Sequence, residues 1–355
     1  MNADDFIGVT LANGYVIERK RVSAAKNPTG GNHSMGFSAR APDGRQAFVK
    51  VLDTGVDKYA ADPVADLKAR LDAYVYERDV VFKTAARKMS AIIRAIDHGD
   101  ISVAPWSADN PAYYLLFELA DGDLREQIDL NKRFDLAYQL RVLHNTARGL
   151  NQLHFSHIAH QDIKPSNVVT FDKLPHNGRE TTKIADLGHA HDRQITRPGD
   201  DRILAGDPTW APPEQLYKYR LPDWESRRLA ADLYQLGSLT VFLFLGVGAT
   251  ASIEGHLRPE HHWDAWLGGQ YGEILPHLIE ATEATLEELA ASLDPLVRDE
   301  LLSTTRYLLD PDPLRRGHPR NRADGATPYG LERVISAYAH LAKKAEWALA
   351  AKVGR

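Results

Sequence analysis

The sequence predicts an α+β chain in two parts: a small β-rich N-terminal lobe with one main helix, then a larger, mostly helical C-terminal lobe. Three observations predict it. Short β-rich runs separated by turn signals dominate up to about residue 120. One segment rich in Ala, Lys, Arg and Leu interrupts them. Beyond that point, apolar residues recur at helical spacing. A β-rich lobe followed by a helical one suggests a cleft at their junction, where ligands tend to bind.

The β-rich runs are 15–22, 36–40, 46–51 and 113–119, with Pro42-Asp43-Gly44 as a turn between two of them. The interrupting helix is predicted over 63–89. Further helices are predicted over 134–156, 224–248, 270–309 and 328–351, and strand-like pieces around 167–185. Residues 318–328 read as a loop, with Gly, Pro, Asn and Asp. The boundary expected between the two parts divides the chain into 1–119 and 120–355. The last helix carries Lys343, Lys344 and Lys352 towards its C-terminal end, where cations suit the helix dipole.

Composition limits the possibilities. With 355 residues and 43% hydrophobic content there is apolar material for a large core or for two lobes. A net charge of -5 and a pI near 6.3 give no sign of a nucleic-acid binder. The absence of cysteine excludes disulfides and thiolate metal sites, and it fits a cytoplasmic location. Residues 1–9 contain Asp4 and Asp5 and no basic segment ahead of an apolar run, so they do not read as a signal peptide. The most apolar stretch, 236–247, is shorter than the roughly 20 residues a bilayer needs and reads as a core helix. No membrane insertion is expected.

The most specific run is His160-Gln161-Asp162-Ile163-Lys164-Pro165-Ser166-Asn167. Phosphoryl transfer needs a carboxylate that orients and deprotonates an attacking hydroxyl, and Asp162 can do this. It needs a cation near the transferred group, which Lys164 can supply. It needs a neutral oxygen ligand for a metal, which the amide of Asn167 offers. Such a polar run between apolar neighbours is hard to explain as packing. Downstream, the strand-like Lys183-Ile184-Ala185 leads into Asp186-Leu187-Gly188, where a carboxylate can bind Mg²⁺ and a glycine lets the chain turn away.

These residues resemble the eukaryotic-type Ser/Thr protein kinase family. H-Q-D-I-K-P-S-N is similar to its H-R-D-L-K-x-x-N catalytic loop, and D-L-G to its D-F-G. The resemblance covers nearly the whole chain. It implies a bilobal kinase-like fold, with a nucleotide-binding N-lobe and a C-lobe holding the catalytic and activation segments. It implies ATP and Mg²⁺ as cofactors, with Asp162, Lys164 and Asn167 catalytic and Asn167 and Asp186 as metal ligands. Ala47-Phe48-Val49-Lys50 resembles the V-A-I-K strand, making Lys50 the phosphate ligand. Glu77, the glutamate between Lys50 and Glu118, becomes its partner. The segment 115–124 resembles the hinge, with Phe117 as gatekeeper. Backbone groups of Glu118 and Ala120 would meet adenine, and Asp123 the ribose. Ala211-Pro212-Pro213-Glu214 resembles A-P-E. Thr209 is expected beside Asp162 and Lys164, and Glu214 in a buried ion pair with Arg316. Asp232 is expected to hold the catalytic-loop backbone, and His160 to pack without moving protons.

Three features depart from the family. The glycine loop, 29–36, has Gly30 and Gly31 as the candidate phosphate-cradling glycines but lacks the G-x-G-x-x-G spacing. Gln161 replaces the arginine that clamps a phosphorylated activation loop. With only Thr196 and Thr209 as hydroxyl residues over 189–210, activity is expected not to depend on loop phosphorylation. Phe48 stands where the family has alanine, and its ring would crowd the nucleotide unless the sheet shifts or the strand register differs by one.

The leading expectation is a Ser/Thr protein kinase acting on a protein substrate. Regulation would come from a partner chain, from the insertion at 53–65, or from the C-terminal helix. Two alternatives stay open: a pseudokinase that binds or scaffolds, and a small-molecule kinase of the aminoglycoside or choline kind. Lys164 and the A-P-P-E segment argue against the second, and the full set of Lys50, Glu77, Asp162, Lys164, Asn167 and Asp186 against the first.

Overall fold

The computed structural model describes residues 3–21, 34–52, 61–102, 111–129, 135–171, 182–197, 202–204, 206–325 and 327–353. In chain order the first elements are β1 (Val16–Lys20), β2 (Ser34–Arg40), β3 (Gln46–Leu52), α1 (Pro63–Ala86), β4 (Ala95–Ile101), β5 (Ala112–Glu118), β6 (Gly122–Asp123) and α2 (Leu124–Asp129). Then come α3 (Leu136–His154), β7 (Ile158–Ala159), β8 (Val168–Thr170), β9 (Thr182–Ile184) and β10 (His191–Asp192). The remainder is helical: α4 (Pro213–Leu216), α5 (Trp224–Leu245), α6 (Ala249–His256), α7 (Tyr271–Ser292), α8 (Arg298–Leu309), α9 (Pro319–Ala323) and α10 (Glu332–Val353). The contacts divide the chain into two compact units, one of Met1–Lys132 and Val169–Gly188, the other of Arg133–Val168 and His189–Arg355.

The first unit is built on an antiparallel sheet of order β1-β2-β3-β5-β4. Strand side chains alternate between faces. Ala47, Val49 and Val51 of β3 point into a core with Phe37, Ile17, Tyr114 and Leu116, while Phe48 and Lys50 share the other face. The β2–β3 register is regular from Ser34↔Leu52 to Arg40↔Gln46, which places Gly36 opposite Lys50 and Ser38 opposite Phe48. Helix α1 starts at Asp62-Pro63. The Asp62 side chain accepts from the Val64 and Ala65 amides at 3.1 and 2.9 Å, and proline needs no partner at the first helical position.

The second unit is centred on α5, most of whose residues are buried, including 236–241 and Leu243 of the apolar run, which ends exposed at Val247. Asp223 caps its start by accepting from the Ser226 amide, and Gly246 ends it in the left-handed conformation. Among the described residues, no single helix is long and apolar enough to cross a membrane.

Several expected elements differ. The helix predicted over 270–309 is two, α7 and α8, because Asp294-Pro295 stops the first: proline lacks the amide and disfavours helix in the residue before it. The helix predicted over 63–89 ends at Ala86, where Lys88 turns left-handed with φ 52°. Strand β4 was not anticipated, since A-I-D-H-G-D-I lacks apolar alternation. Its backbone pairs with β5 regardless of side chain. The expected loop at 318–328 contains the single turn of α9.

Candidate functional site

In the first unit, three predicted residues meet around one ammonium group. Lys50 Nζ donates to Glu77 Oε1 and Oε2 at 2.7 and 3.0 Å and to Asp186 Oδ1 at 3.1 Å. Glu77 lies on the buried face of α1 with Arg70, Tyr74 and Val81, spaced as helical neighbours. Asp186 is held from behind, because Ile184 exchanges backbone hydrogen bonds with Ala91 and Ile93 at 2.9 and 2.7 Å. It adopts φ 59°, a conformation that costs most side chains energy and that aspartate tolerates better than most. Gly188 passes close by: a Cβ there would lie 3.2 Å from Asp186 Oδ1 and 3.5 Å from Glu77 Oε2. Burial opposes the charge on Lys50, but the carboxylates of Asp186 and Glu77 outweigh it and hold the ammonium well above the usual lysine range. Asp186 keeps 39% of its side chain exposed, enough to take a further cation.

The Lys50–Glu77 pair fixes the strand register, so Phe48 does stand two residues before the lysine. The β2–β3 register runs unbroken past it, and β2 carries no side chain beside the ring: a Cβ on Gly36 would lie 2.8 Å from Phe48 Cε2. Phe117, the cross-strand partner of Phe48, is buried. Glu118 uses its side chain locally, accepting from Lys183 Nζ at 2.6 Å and the Arg94 amide at 2.8 Å. Ala120 stands two residues on, and the Asp121 amide donates to the Thr170 carbonyl. Asp123 Oδ1 accepts from the Glu126 amide at 2.8 Å, and burial, with the Glu126 charge adding to it, pushes its carboxyl up to about 6. Gly30 and Gly31 lie outside the described residues, as do 53–60 of the insertion.

In the second unit, the run 160–167 is shaped by two side chains of α5, three positions apart. Asp232, with no exposed surface, accepts from the His160 and Gln161 amides at 2.7 Å each, and from His154 Nε2 at 2.8 Å. Gln235 accepts from the Ile163 amide and donates to the Gln161 carbonyl, each at 2.9 Å. Gln161 is left-handed at φ 68°, a strained state that these bonds over-determine. Its amide also donates to Asp232 Oδ1 and the Arg228 carbonyl. His160 is fully buried and its Nδ1 accepts from the Asp162 amide at 3.2 Å, in keeping with a structural role.

Asp162, 1% exposed, is surrounded by donors. Asn167 Nδ2 donates to its Oδ2 at 2.9 Å and to its carbonyl at 2.8 Å, so both bonds use the amide nitrogen of Asn167. Lys164 Nζ lies 3.0 Å from Asp162 Oδ2 and 3.2 Å from Asp207 Oδ2. The Asp207 amide donates to Asp162 Oδ1 at 3.0 Å. Thr209, expected in this place, is one step removed and exposed: its hydroxyl donates to Asp207 Oδ1 at 2.7 Å. Burial opposes the charge of Asp207, but the Thr209 hydroxyl and the Lys164 charge carry its carboxyl below the ordinary value. Sequence reasoning missed Asp207. The available signal was its place before Pro208, capping a single helical turn. Gly206 makes the approach possible, since a Cβ there would sit 2.2 Å from the Gln161 carbonyl oxygen. Farther back, Arg316 and Glu214 form the expected buried pair, bidentate at 2.7 and 2.8 Å.

The family described as protein kinase domain matches residues 72–272, more than half of the 355-residue chain. The chain belongs to that family. It is 26% identical over 208 residues to the serine/threonine-protein kinase DCLK1 of Rattus norvegicus, covering 58% of this chain and 43% of that protein. It is 26% identical over 214 residues to death-associated protein kinase 2 of Homo sapiens, covering 57% and 52%. It is 26% identical over 235 residues to the serine/threonine-protein kinase PknA of Mycobacterium tuberculosis, covering 65% and 46%. The chain spans about half the length of these curated relatives.

Proposed function

We propose that this chain transfers the γ-phosphate of ATP to serine or threonine hydroxyls of a protein substrate. The observation that carries this reading is the surrounding of Asp162, a buried carboxylate fixed by Asn167, Lys164 and the Asp207 amide. A carboxylate held in this way is oriented to accept the proton of an attacking hydroxyl, and Lys164 offsets charge developing on the transferred group. In the other unit, Lys50 is kept charged and pointed by Glu77, as a phosphate ligand must be. Asp186 and Asn167 each offer hard oxygen, the donor type Mg²⁺ prefers. The MgATP complex supplies the phosphoryl group and neutralises its charge. Glu118 and Ala120 serve adenine through their backbone, and Asp123 the ribose.

The kinship with proteins named serine/threonine kinases favours the hydroxyl class of substrate. Activity independent of loop phosphorylation is part of the same proposal: Gln161 spends its amide on Arg228 and Asp232 rather than on a phosphate. Turnover of Thr196→Ala should match wild type, and a large loss would remove this part. The central test is transfer of labelled γ-phosphate with Mg²⁺ onto the chain and onto a generic protein substrate, with Asp162→Ala beside it. Equal labelling by both proteins would overturn the catalytic assignment.

A further inference from the structure

Four arginines converge on one recess of the second unit. Arg202, Arg220, Arg227 and Arg228 line an open, shallow recess. Arg228 is buried, and it donates to Gln161 Oε1 and to the Arg202 carbonyl, each at 3.3 Å. The next residue after Gln161 is Asp162, so the recess adjoins the catalytic loop. Glu214 is the acidic residue among the described residues that line it, and its carboxylate is committed to Arg316. Four guanidinium groups thus line this recess in a chain whose net charge is -5, with Arg220 and Arg228 keeping further partners of their own.

Arg227 and Arg228 are the fourth and fifth residues of α5, just beyond Glu225 in its first turn. Guanidinium groups are the side chains that suit phosphate, because their planar fork donates two parallel hydrogen bonds to its oxygens.

We propose that this recess binds a phosphorylated side chain of the protein substrate, so that the chain selects acceptors already phosphorylated near the target hydroxyl. The proposal rests on the protein kinase reading above. It is tested with the full chain after phosphatase treatment. The probes are fluorescent peptides bearing an acceptor serine and one phosphoserine two to four residues to either side, each with its unphosphorylated twin.

In a binding titration, wild type should hold the best phosphopeptide about tenfold more tightly than its twin, as two charge-assisted contacts imply. Millimolar inorganic phosphate should compete. The preference should vanish in the Arg202→Ala/Arg220→Ala/Arg227→Ala variant, whose changes fall on exposed or half-buried side chains. The single change Arg220→Ala, at an exposed position, should already weaken it. Equal affinity for both twins overturns the proposal. Because binding is read without turnover, a chain that phosphorylates both twins equally well and binds them alike keeps the kinase reading and loses this one. A preference that wild type loses once phosphorylated on Thr196, and that Thr196→Ala retains, would mean the recess is filled from within, and the substrate assignment fails.

Discussion

Asp207 reaches Asp162 through its backbone, the amide donating to Oδ1 at 3.0 Å, while its own carboxylate lies 3.2 Å from Lys164. One residue of the 206–209 turn thus holds both Asp162 and Lys164. The amide contact survives any substitution that keeps the turn, but the carboxylate does not. Asp207→Ala should therefore free Lys164 and Thr209 without unseating Asp162. We expect kcat to fall by up to about a hundredfold, the scale on which a small misplacement of a positioned group costs rate, with nucleotide affinity unchanged. Steady-state kinetics together with a nucleotide titration would check it, and a matching loss of nucleotide affinity would contradict it.

Arg316 has no exposed surface and gives its guanidinium to Glu214, Asp310 and Ala230. Glu214→Ala leaves that charge buried and without its carboxylate. The expected loss is about 3–5 kcal/mol in urea unfolding. Replacing both partners with apolar residues should cost less than the single change, since no lone charge remains.

Gly36 is required by Phe48 rather than by its own backbone. A methyl group there meets the far edge of the ring, so Gly36→Ala should destabilise by about 1 kcal/mol, the low end of overpacking costs. In a Phe48→Ala background the same change should be nearly neutral. Thermal melts of the four proteins in this cycle measure the coupling, and additive effects would refute it.

Asp123 carries a pH prediction. Its folded pKa, about 6, is raised above that of an unfolded aspartate, so the folded chain binds the proton more tightly. The stabilisation from that proton is complete below the unfolded value and disappears as pH rises through about 6. Asp123→Asn should flatten the stability profile in that window. If the ionised carboxylate meets a ribose hydroxyl, nucleotide affinity should rise across the same window in wild type and stay level in the variant.

Much of the site was legible because its chemistry is carried by side-chain identity. Asp162, Lys164 and Asn167 stand in one short run, and a lysine that needs a carboxylate found it in Glu77. Glu214 with Arg316, and Asp232 with the loop amides, were readable on the same grounds. Asp207 was not, because it acts through an amide, and every residue but proline has one. The geometry of the turn decides which amide arrives, and Thr209 looked the better candidate on side-chain chemistry alone. The fold shows the same division. The β3 alternation and the caps at Asp62 and Asp223 have sequence signatures, whereas β4 is held by backbone pairing that its polar side chains conceal. The four-arginine recess escaped notice because residue 202 is distant in the chain from 227 and 228.

The hold of Asp232 and Gln235 on residues 160–163 also bears on how the chain can be divided. The loop carries its chemistry in its own residues but takes its shape from a helix that is made later. A fragment ending ahead of Trp224 would keep every letter of the motif and lose the two side chains that bend it. Emergence of α5 during synthesis, and not of the motif, is then the moment at which residues 160–163 acquire their geometry.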